Sequence, residues 1–464
     1  MRKGLRIAET SAYSCPVHQF NAEVEELAKA VMEYSLERLK SNPPLDGPRS
    51  EKDLYEELGN TITPKGLGGK KTLDIFTETL ALACISTDHP RNLAFIPSAP
   101  SEYSNLFDLV VGASSLYGGS WQEGAGAVFA ENQALRWLSD MVGFPQSSGG
   151  VFVQGGTIGN LSALVVARDQ ARKAHPDVTR WVIACSAESH SSITSAAHVM
   201  DVDVLKIDTN GELRLDGAHV GAAIDELHAT TSKRVFAIVG TAGSTNLGVV
   251  DDLASLAQAA KERKIWFHVD GAYGLAGICA PSVRHLFNGV EDADSFIVDP
   301  HKWLFAPFDA CALVYRNPAL AKETHTQHAS YLETLHDDSW SPSDYAIHLT
   351  RRVRGLPFWF SLAAHGSDAY SEAVEAGIRL AKDSAELIKA HPNLDLVIEP
   401  ELSIVAFTRK GWSPQQYQQW ADDLLEKQIG FIPPSKHAGE SILRFAFVNP
   451  WTSMEDVQII LETL

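Results

Sequence analysis

The sequence predicts an α/β protein with a mostly parallel central sheet and helices on both faces. From about residue 150, short apolar runs such as "WVIACS", "RVFAIVG" and "CALVY" alternate with helical patterns such as "DDLASLAQAAKERK". Strands that are apolar throughout are buried on both faces, which is typical of a parallel sheet between two helix layers. Ligands of such sheets collect at the carboxyl ends of the strands.

Two further segments flank the predicted sheet. Residues 22–41 carry apolar side chains at helical spacing, and "SNPPLDGPRS" ends that pattern with three prolines and a glycine. After about residue 356, helical patterns mix with short strand runs such as "LSIVAFTR" and "ILRFAFV". We expect an N-terminal helical segment over 1–85, a large α/β domain over 86–355 and a small C-terminal α+β domain over 356–464.

Composition argues against several classes of protein. The 464 residues have a formal net charge of −19 and no basic run, which disfavours nucleic acid and anionic membrane surfaces as partners. The five cysteines are scattered without metal-ligand spacing, so we expect reduced thiols, no metal site and a cytoplasmic location. The N-terminus lacks an apolar signal region, and no stretch is apolar for long enough to span a bilayer.

Glycines follow the first predicted strand in "VFVQGGTIGN". The N–H groups of Gly156, Thr157 and Ile158 would begin the next helix, where unpaired donors and the helix dipole attract an anion. This pattern predicts a phosphate site, although a simple tight turn explains the same residues equally well.

An acid ends another predicted strand in "IWFHVDGAYG". A carboxylate at Asp270 needs a cationic partner to offset its desolvation. A salt-bridged structural acid is one interpretation. A protonated ring nitrogen of a bound heteroaromatic molecule is the other, because the small Ala272 would let a flat ring lie against the backbone.

An amine and an imidazole complete the candidate set. Lys302 lies between two apolar runs in "SFIVDPHKWLFAPFDACALVYR", and burial should lower its pKa and make it a nucleophile that forms a Schiff base. An exposed loop lysine is the alternative, and it leaves Asp270 and the apolar flanks unexplained. His190 follows a strand, where capping a helix is the more frequent role. A phosphate site, an acid, a stacking surface and a lysine together predict pyridoxal 5′-phosphate as the cofactor.

Five motifs give the chain a family likeness: "HVDGAYG", "RHLFNGVEDADSF", "DPHKW", "RRVRGLPFW" and "ILRFAF". From about residue 70 to the C-terminus it resembles the group II pyridoxal-phosphate-dependent amino-acid decarboxylases, which include aromatic L-amino-acid, glutamate, histidine and 2,4-diaminobutyrate decarboxylases. The order His190, Asp270, Lys302 and the separation of 32 residues between the last two fit this family.

The resemblance implies a fold type I, aspartate-aminotransferase-like homodimer with active sites at the subunit interface and N-terminal helices packed across it. It implies that Lys302 forms the Schiff base with the cofactor and that Asp270 binds the pyridinium nitrogen. The other implied cofactor contacts are His190 and Ala272 on the two ring faces, Thr245 at the phenolic oxygen, and the backbone of Gly156, Thr157 and Ile158 with the His301 side chain around the phosphate or the lysine.

Two departures from the family pattern limit what is carried over. Asp299 stands where the family often has asparagine, which leaves open whether position 299 assists cofactor binding. The turn "GGTIGN" resembles the bacterial and glutamate-type branch more than the animal aromatic branch. The substrate is therefore less well defined than the family.

The resemblance also implies a reaction and a substrate pocket. The substrate carboxylate leaves as carbon dioxide, and Tyr331, in a polar loop over 322–340, then protonates Cα from the neighbouring subunit. The implied pocket comprises Phe95, Ile96, Pro97 and Ser98, with "LYGGSW" over 116–121 from the partner. This wall has no arginine, which fits tyrosine, dopa, phenylalanine or tryptophan better than glutamate, and Gly119 suggests room for an indole ring.

Three interpretations stay open. The first is an amine-forming decarboxylase, which includes enzymes for a non-aromatic substrate of the diaminobutyrate or glutamate type. The second is an aldehyde synthase or a transaminase; Tyr331 counts against the synthase, and the Asp270–Lys302 frame counts against the transaminase. The third is a non-enzymatic cofactor-bound dimer, which is disfavoured because every catalytic position is filled.

Overall fold

A seven-stranded sheet forms the centre of the computed structural model, which describes residues 16–18, 20–327 and 339–464. Its strands are β1 Gly149–Val153, β2 Trp181–Ser186, β3 Asp203–Ile207, β4 Arg234–Thr241, β5 Trp266–Asp270, β6 Ser295–Val298 and β7 Cys311–Tyr315. They lie in the order β1-β7-β6-β5-β4-β2-β3. Each predicted apolar run of this region corresponds to one of these strands.

The directions of the strands bring segments that are distant in the sequence to one edge of the large sheet. All neighbouring pairs are parallel except those of β7, which is antiparallel to both β1 and β6. The predicted mostly parallel sheet is thus confirmed. Because β1, β2, β4, β5 and β6 run in the same direction, the segments that follow them meet at the carboxyl edge of the sheet.

Helices surround this sheet and form the N-terminal segment. They are α1 Ala22–Lys40, α2 Glu51–Leu58, α3 Gly69–Ile75, α4 Glu102–Ser114, α5 Trp121–Val142, α6 Gly156–Ala174, α7 Ser191–Met200, α8 Gly217–Thr230, α9 Leu253–Arg263, α10 Pro318–His325, α11 Leu356–His365, α12 Ser367–Ala390, α13 Pro414–Glu426 and α14 Met454–Leu461. A π-helical turn spans Phe76–Leu80, and short 3-10 turns span Pro16–His18, Ala81–Ala83, Gly274–Cys279, Arg284–Phe287, Val290–Asp292 and Pro342–Asp344. None of the described helices is both long enough and apolar enough to cross a membrane.

Alternate residues of β5 face different helix layers, as the two-residue period of a strand requires. Phe267 and Val269 belong to the largest apolar core, together with Leu256 of α9. The other face of the strand carries polar side chains, and His268 and Asp270 meet α6 there. The strand therefore presents a continuous apolar surface on one side and a polar row on the other.

The C-terminal part of the chain forms a second, antiparallel sheet. Its strands are β8 Leu394–Leu396, β9 Ile404–Arg409, β10 Ser435–His437 and β11 Glu440–Ala446, in the order β10-β11-β9-β8. Residues of α12, α13 and α14 form an apolar core against it. Phe358 of α11 and Val374 of α12 lie instead in the core of the large sheet. The domain boundaries at 85/86 and 355/356 stay predictions.

A buried ion pair ties α5 to the segment that precedes α11. Arg351 donates two hydrogen bonds to Glu131, at 2.6 and 2.7 Å, and the two side chains are 0% and 3% exposed. Arg351 also donates to the Gly118 carbonyl at 2.8 Å, and the Gly355 N–H donates to Glu131 at 2.8 Å. Both charges are thus paired and hydrogen-bonded, which is the condition for burying them.

Glu131→Gln should destabilise the protein strongly, because it leaves the buried Arg351 cation without a counter-charge. We expect the free energy of unfolding in urea to fall by about 3–5 kcal/mol. Glu386→Gln removes one partner of the exposed pair with Lys389 and should give no measurable change. Equal stability of Glu131→Gln and the native chain would contradict the assigned role of this pair.

Candidate active site

A cavity of about 320 Å³ lies at the carboxyl edge of the large sheet, at the size expected of a small-molecule site. Eight of the predicted residues line it: Gly156, Thr157, His190, Thr245, Asp270, Ala272, His301 and Lys302. They come from the segments after β1, β2, β4, β5 and β6. The strand order therefore assembles one site from residues that are far apart in the sequence.

Lys302 lies in the cavity wall beside a carboxylate. Its Nζ is 2.9 Å from Asp299 Oδ2, and the two side chains are 24% and 1% exposed. Burial alone would lower the pKa of Lys302, but the Asp299 carboxylate raises it, and the net shift is upward. The predicted fall in the pKa of this lysine was therefore wrong for the protein on its own.

Asp299 is the centre of a small charged group. Burial would raise its pKa, but the adjacent Lys302 and His301 lower it, and the net shift is downward. His301 Nε2 lies 3.7 Å from Asp299 Oδ2, and its Nδ1 lies 2.7 Å from the Ala310 carbonyl. The Gly156 N–H also donates to Asp299, at 3.3 Å. This carboxylate thus touches both the lysine and the start of α6.

Asp270 ends β5 with its side chain 6% exposed. Its Oδ2 accepts a hydrogen bond from Asn160 Nδ2 at 2.8 Å, and its Oδ1 accepts one from the Ala272 N–H at 3.1 Å. No described residue forms an ion pair with it. The structure therefore leaves Asp270 as an acid that is hydrogen-bonded but without a cationic partner from the described chain.

His190 combines a capping role with a place in the cavity wall. It is the N-cap residue of α7, and its Nδ1 accepts a hydrogen bond from the Ser192 N–H at 3.2 Å. The nitrogen that accepts carries no proton, so a neutral ring is protonated at Nε2. Both sequence interpretations of His190, the cap and the site residue, describe the same side chain.

The start of α6 has the form of an anion cradle. Gly156 and Thr157 stand in the first turn of a 19-residue helix, where N–H groups lack intrahelical acceptors. A Cβ on Gly156 would come within 3.1 Å of the Ala272 Cβ and 3.3 Å of Asp299 Oδ2. Ile158 does not line the cavity, and its N–H is donated to the Gly155 carbonyl at 3.0 Å.

These residues fit pyridoxal phosphate as a ligand. An amine, an acid, an imidazole and a helix start face one cavity, and buried polar atoms in its wall lack protein partners. Among the described residues, Gln154 Oε1 and Thr241 Oγ1 are two such atoms. Buried polar atoms without partners are rare in folded proteins, and a polar ligand in the cavity explains them.

The predicted substrate pocket lies outside this cavity in the single chain. Pro97 and Ser98 are buried, with Ser98 Oγ donating to the Ala306 carbonyl at 3.2 Å, while the Phe95 side chain is 63% exposed. Gly119 is buried, and a Cβ there would lie 2.3 Å from the Tyr117 hydroxyl. Within one chain the Tyr117 side chain fills the space beside Gly119, and the expected room for an indole ring in a pocket shared with the partner stays a prediction. Tyr331 lies outside the described residues.

Several residues of the site were missed by sequence reasoning. The cavity is also lined by Asn160, Phe308 and Asp309, and Arg354 forms an ion pair with Asp309. Asn160 lies one turn into α6, within "GGTIGN", so its position after the glycine pair was the available signal. Phe308 and Asp309 lie in the loop between β6 and β7, where no periodicity marks a side chain that faces the cavity.

Comparisons with known proteins identify the family. Residues 69–410 match the pyridoxal-dependent decarboxylase conserved domain. An aromatic-L-amino-acid decarboxylase of Bacillus atrophaeus is 29% identical over 443 residues, covering 92% of this chain and 91% of its own length. A 3,4-dihydroxyphenylacetaldehyde synthase of Aedes aegypti is 26% identical over 425 residues, covering 87% and 81%.

A solved structure shares the fold. The crystal structure of Oryza sativa TDC with PLP and tryptamine superposes with a TM-score of 0.89, at 22% identity, over 96% of this chain and 98% of that chain. The chain belongs to the pyridoxal-dependent decarboxylase family. The predicted fold type I architecture, the predicted cofactor pyridoxal 5′-phosphate and the predicted amino-acid decarboxylase class are confirmed.

Asp299→Asn should lower the pKa of Lys302, because burial then acts without the opposing carboxylate. In cofactor-free protein, the pH at which Lys302 becomes half-reactive toward acetic anhydride, followed by mass spectrometry, should move downward. The exposed Lys436 serves as the internal reference and should not move. An unchanged midpoint for Lys302 would show that Asp299 does not set its charge.

The same pair gives the cofactor-free protein a pH-dependent stability. The pKa of Asp299 is lowered, so its contribution is lost as the pH falls through the folded-state pKa of Asp299. The pKa of Lys302 is raised, so its contribution is lost as the pH rises through the folded-state pKa of Lys302. Asp299→Asn should remove the loss at low pH and reverse the dependence at high pH, because burial alone then lowers the pKa of Lys302 and stability rises with pH. The free energy of unfolding in urea, measured across the pH range, checks both changes.

Proposed function

We propose that this decarboxylase acts on an L-amino acid with an aromatic side chain (tyrosine, dopa, phenylalanine or tryptophan) and releases carbon dioxide and the amine. The observation that carries the proposal is the placement of Lys302 and Asp270 in one cavity whose described lining residues include no arginine. The relative named aromatic-L-amino-acid decarboxylase supports this choice.

Bound pyridoxal phosphate supplies an aldehyde that condenses with amines and a ring that withdraws electrons from a bond at Cα. Lys302 would hold the cofactor through Nζ, and Asp270 would accept a hydrogen bond from its protonated ring nitrogen. The α6 start and His301 would bind the phosphate, His190 and Ala272 would lie against the ring, and Thr245 would meet the phenolic oxygen. All of these residues line the same cavity.

Lys302 must lose a proton before its Nζ acts as a nucleophile, because an ammonium group has no free electron pair. Asp299 Oδ2, at 2.9 Å, stabilises the ammonium form, because the pair raises the pKa of Lys302 and lowers that of Asp299. The ion pair thus keeps the amine fixed in the cavity wall until the cofactor arrives. The family position that often holds asparagine has a carboxylate in this protein, which pairs with the lysine.

Protonation of the product at Cα requires a donor over the cavity. The Tyr331 hydroxyl can deliver a proton, whereas a phenylalanine at the same position cannot. We propose that Tyr331 of one subunit serves the cavity of its partner. This role separates an amine-forming enzyme from an aldehyde-forming one.

The cavity wall favours an aromatic side chain over charged ones. Phe308 lines the cavity with 55% of its surface exposed, so an apolar surface is available to a substrate ring. A glutamate substrate would bring a second carboxylate without a described arginine to meet it. A diaminobutyrate substrate would need a free acid, and Asp309 is already paired with Arg354.

The N-terminal segment supports a homodimer in which each active site is shared between the two subunits. The structure buries no residue of α1, α2 or α3 within one chain. Large apolar side chains of this region are exposed, and they include Phe20 (71%), Tyr55 (63%), Ile62 (85%) and Phe76 (47%). Exposed apolar surface of this extent marks an interface, and a second copy of the chain would cover it. We place the protein in the cytoplasm, as its scattered cysteines suggest.

The substrate proposal is tested by measuring carbon dioxide and amine across the amino acids with cofactor-loaded protein. The kcat/KM for an aromatic amino acid should exceed that for glutamate or 2,4-diaminobutyrate by at least about tenfold, because a buried unpaired charge costs at least about 1.4 kcal/mol. Lys302→Ala should release no carbon dioxide. A charged amino acid as best substrate would overturn the aromatic assignment, and carbon dioxide without amine would indicate an aldehyde synthase.

Shared sites predict complementation between inactive chains. Lys302→Ala and Tyr331→Phe chains, refolded together in equal amounts, should recover about a quarter of native amine formation, because half of the dimers are hybrids with one intact site each. Lys302→Ala mixed with Asp270→Asn should recover none, since both residues line the cavity of the same chain. Hybrids that form without recovery in the first mixture would show that each subunit works alone.

A further inference from the structure

Three polar side chains lie in a row on one face of β5. Trp266, His268 and Asp270 alternate with the apolar Phe267 and Val269, and they run from the amino end of the strand to the cavity. His268 is fully buried, with 0% of its surface exposed. The pyridine-binding and catalytic roles proposed above use only Asp270, so the rest of the row is unexplained.

Hydrogen bonds connect this row into one chain. Trp266 Nε1 donates to Ser295 Oγ at 2.9 Å, and Ser295 Oγ lies 2.8 Å from His268 Nδ1. His268 Nε2 lies 2.9 Å from Asn160 Oδ1, and Asn160 Nδ2 donates to Asp270 Oδ2 at 2.8 Å. Every link is within hydrogen-bond distance.

The donor and the acceptor of each hydrogen bond in this row can be assigned by starting at Asp270. A carboxylate only accepts hydrogen bonds, so the Asn160 group 2.8 Å away must be its NH₂ rather than its carbonyl oxygen. The Asn160 oxygen then faces His268 and requires a proton on Nε2. Burial lowers the pKa of His268 to about 4, so the ring is neutral and Nδ1 accepts.

The hydrogen bonds at the Trp266 end of the row agree with this assignment of donors and acceptors. The Trp266 indole N–H can only donate, and Ser295 Oγ accepts it. The one hydroxyl hydrogen of Ser295 is then free to be donated to His268 Nδ1. The second N–H of Asn160 donates to Ser192 Oγ at 2.9 Å, and the Ser192 N–H holds His190. Asn160 thus contacts Asp270 directly and is linked to His190 through Ser192.

We propose that Asn160 and His268 are positioning residues for Asp270, because they present a fixed N–H donor to its carboxylate and hold it for the ring nitrogen of the bound cofactor. The inference rests on the proposed function, in which Asp270 meets that nitrogen. His268 sets the orientation of the Asn160 amide, and Asn160 acts on Asp270 directly. Asn160 is part of the cavity wall, whereas His268 lies behind it and does not line the cavity.

A purely structural role for the row is the competing explanation. Apolar residues would fill the interior between α6 and β5 without the desolvation that buried polar groups require. The row instead ends on the one cavity acid that lacks a cationic partner among the described residues. If the row positions Asp270, the effect of a substitution on ligand affinity depends on the ring nitrogen of the ligand. If the row is purely structural, that effect does not depend on the nitrogen.

The test compares two ligands on the full-length, cofactor-free chain. One is pyridoxal 5′-phosphate, and the other is its 1-deaza analogue, in which carbon replaces the ring nitrogen. Asn160→Asp sets an acceptor against Asp270 and should weaken pyridoxal phosphate binding by at least about tenfold, or about 1.4 kcal/mol. Binding of the deaza analogue should change by less than about twofold, because it offers Asp270 no nitrogen.

Matched variants separate positioning from folding. His268→Leu removes the donor to Asn160 and should repeat the selective loss, whereas His268→Gln keeps an amide N–H and should restore most of the affinity. Asn449→Asp changes another buried asparagine, 4% exposed and bonded to the Asp88 carbonyl, and should alter neither affinity. Equal weakening of both ligands by Asn160→Asp, or no weakening of either, would overturn the inference.

The native protein gives an independent check that needs no variant. Nitrogen-15 shifts of labelled histidines should show His268 neutral, with its proton on Nε2. A proton on Nδ1 would reverse the donor and acceptor roles of His268, and it would overturn the inference. Failure of the native chain to bind pyridoxal phosphate would instead overturn the proposed function and the inference with it, whereas native binding with unaffected variants would overturn the inference alone.

Discussion

A buried ammonium group requires a nearby carboxylate, and the contact of Lys302 with Asp299 meets this requirement in the cavity wall. The loop that carries both residues is tied to the sheet by its backbone. The Asp299 N–H donates to the Ala272 carbonyl at 3.0 Å, and the Asp299 carbonyl accepts from the Lys302 N–H at 2.9 Å. The lysine is thus held where the carboxyl ends of β5 and β6 meet.

The same pair separates the roles of the two cavity acids. Asp299 is neutralised by Lys302, while the described residues give Asp270 only the neutral donors of Asn160 and Ala272. An acid in such surroundings gains most from a positive group that arrives with a ligand. A protonated ring nitrogen is such a group. The placement of one lysine therefore determines which carboxylate serves the cofactor ring.

Much of the fold could be predicted, because buried parallel strands have an unambiguous apolar pattern. Each apolar run predicted between about residue 150 and residue 316 became a strand of the large sheet, and residues at or after strand ends, such as Asp270 and Lys302, met at one cavity. Strand direction is enough to bring them together, since parallel strands share a carboxyl edge. The antiparallel β7 between β1 and β6 did not disturb this edge.

The prediction that failed and the residues that were missed depend on side-chain contacts, and the hydrophobic periodicity of a sequence does not reveal such contacts. The pKa of Lys302 follows the balance between burial and a carboxylate at 2.9 Å, and the sequence pattern raised Asp299 only in connection with cofactor binding. The bonds of Asn160 to His268 and Asp270 cross 108 and 110 residues of sequence.

The cavity of one chain is also only part of the proposed site. His190 and Phe308 line it and are exposed to solvent, and the N-terminal helices bury no residue in the single chain. Decarboxylation creates a strongly basic carbon, which has to be protonated at one place and shielded from other reactions. A cover supplied by a second subunit would meet this need and would bury the apolar N-terminal surface in the same step. Assembly and control of the proton would then be two consequences of one interface.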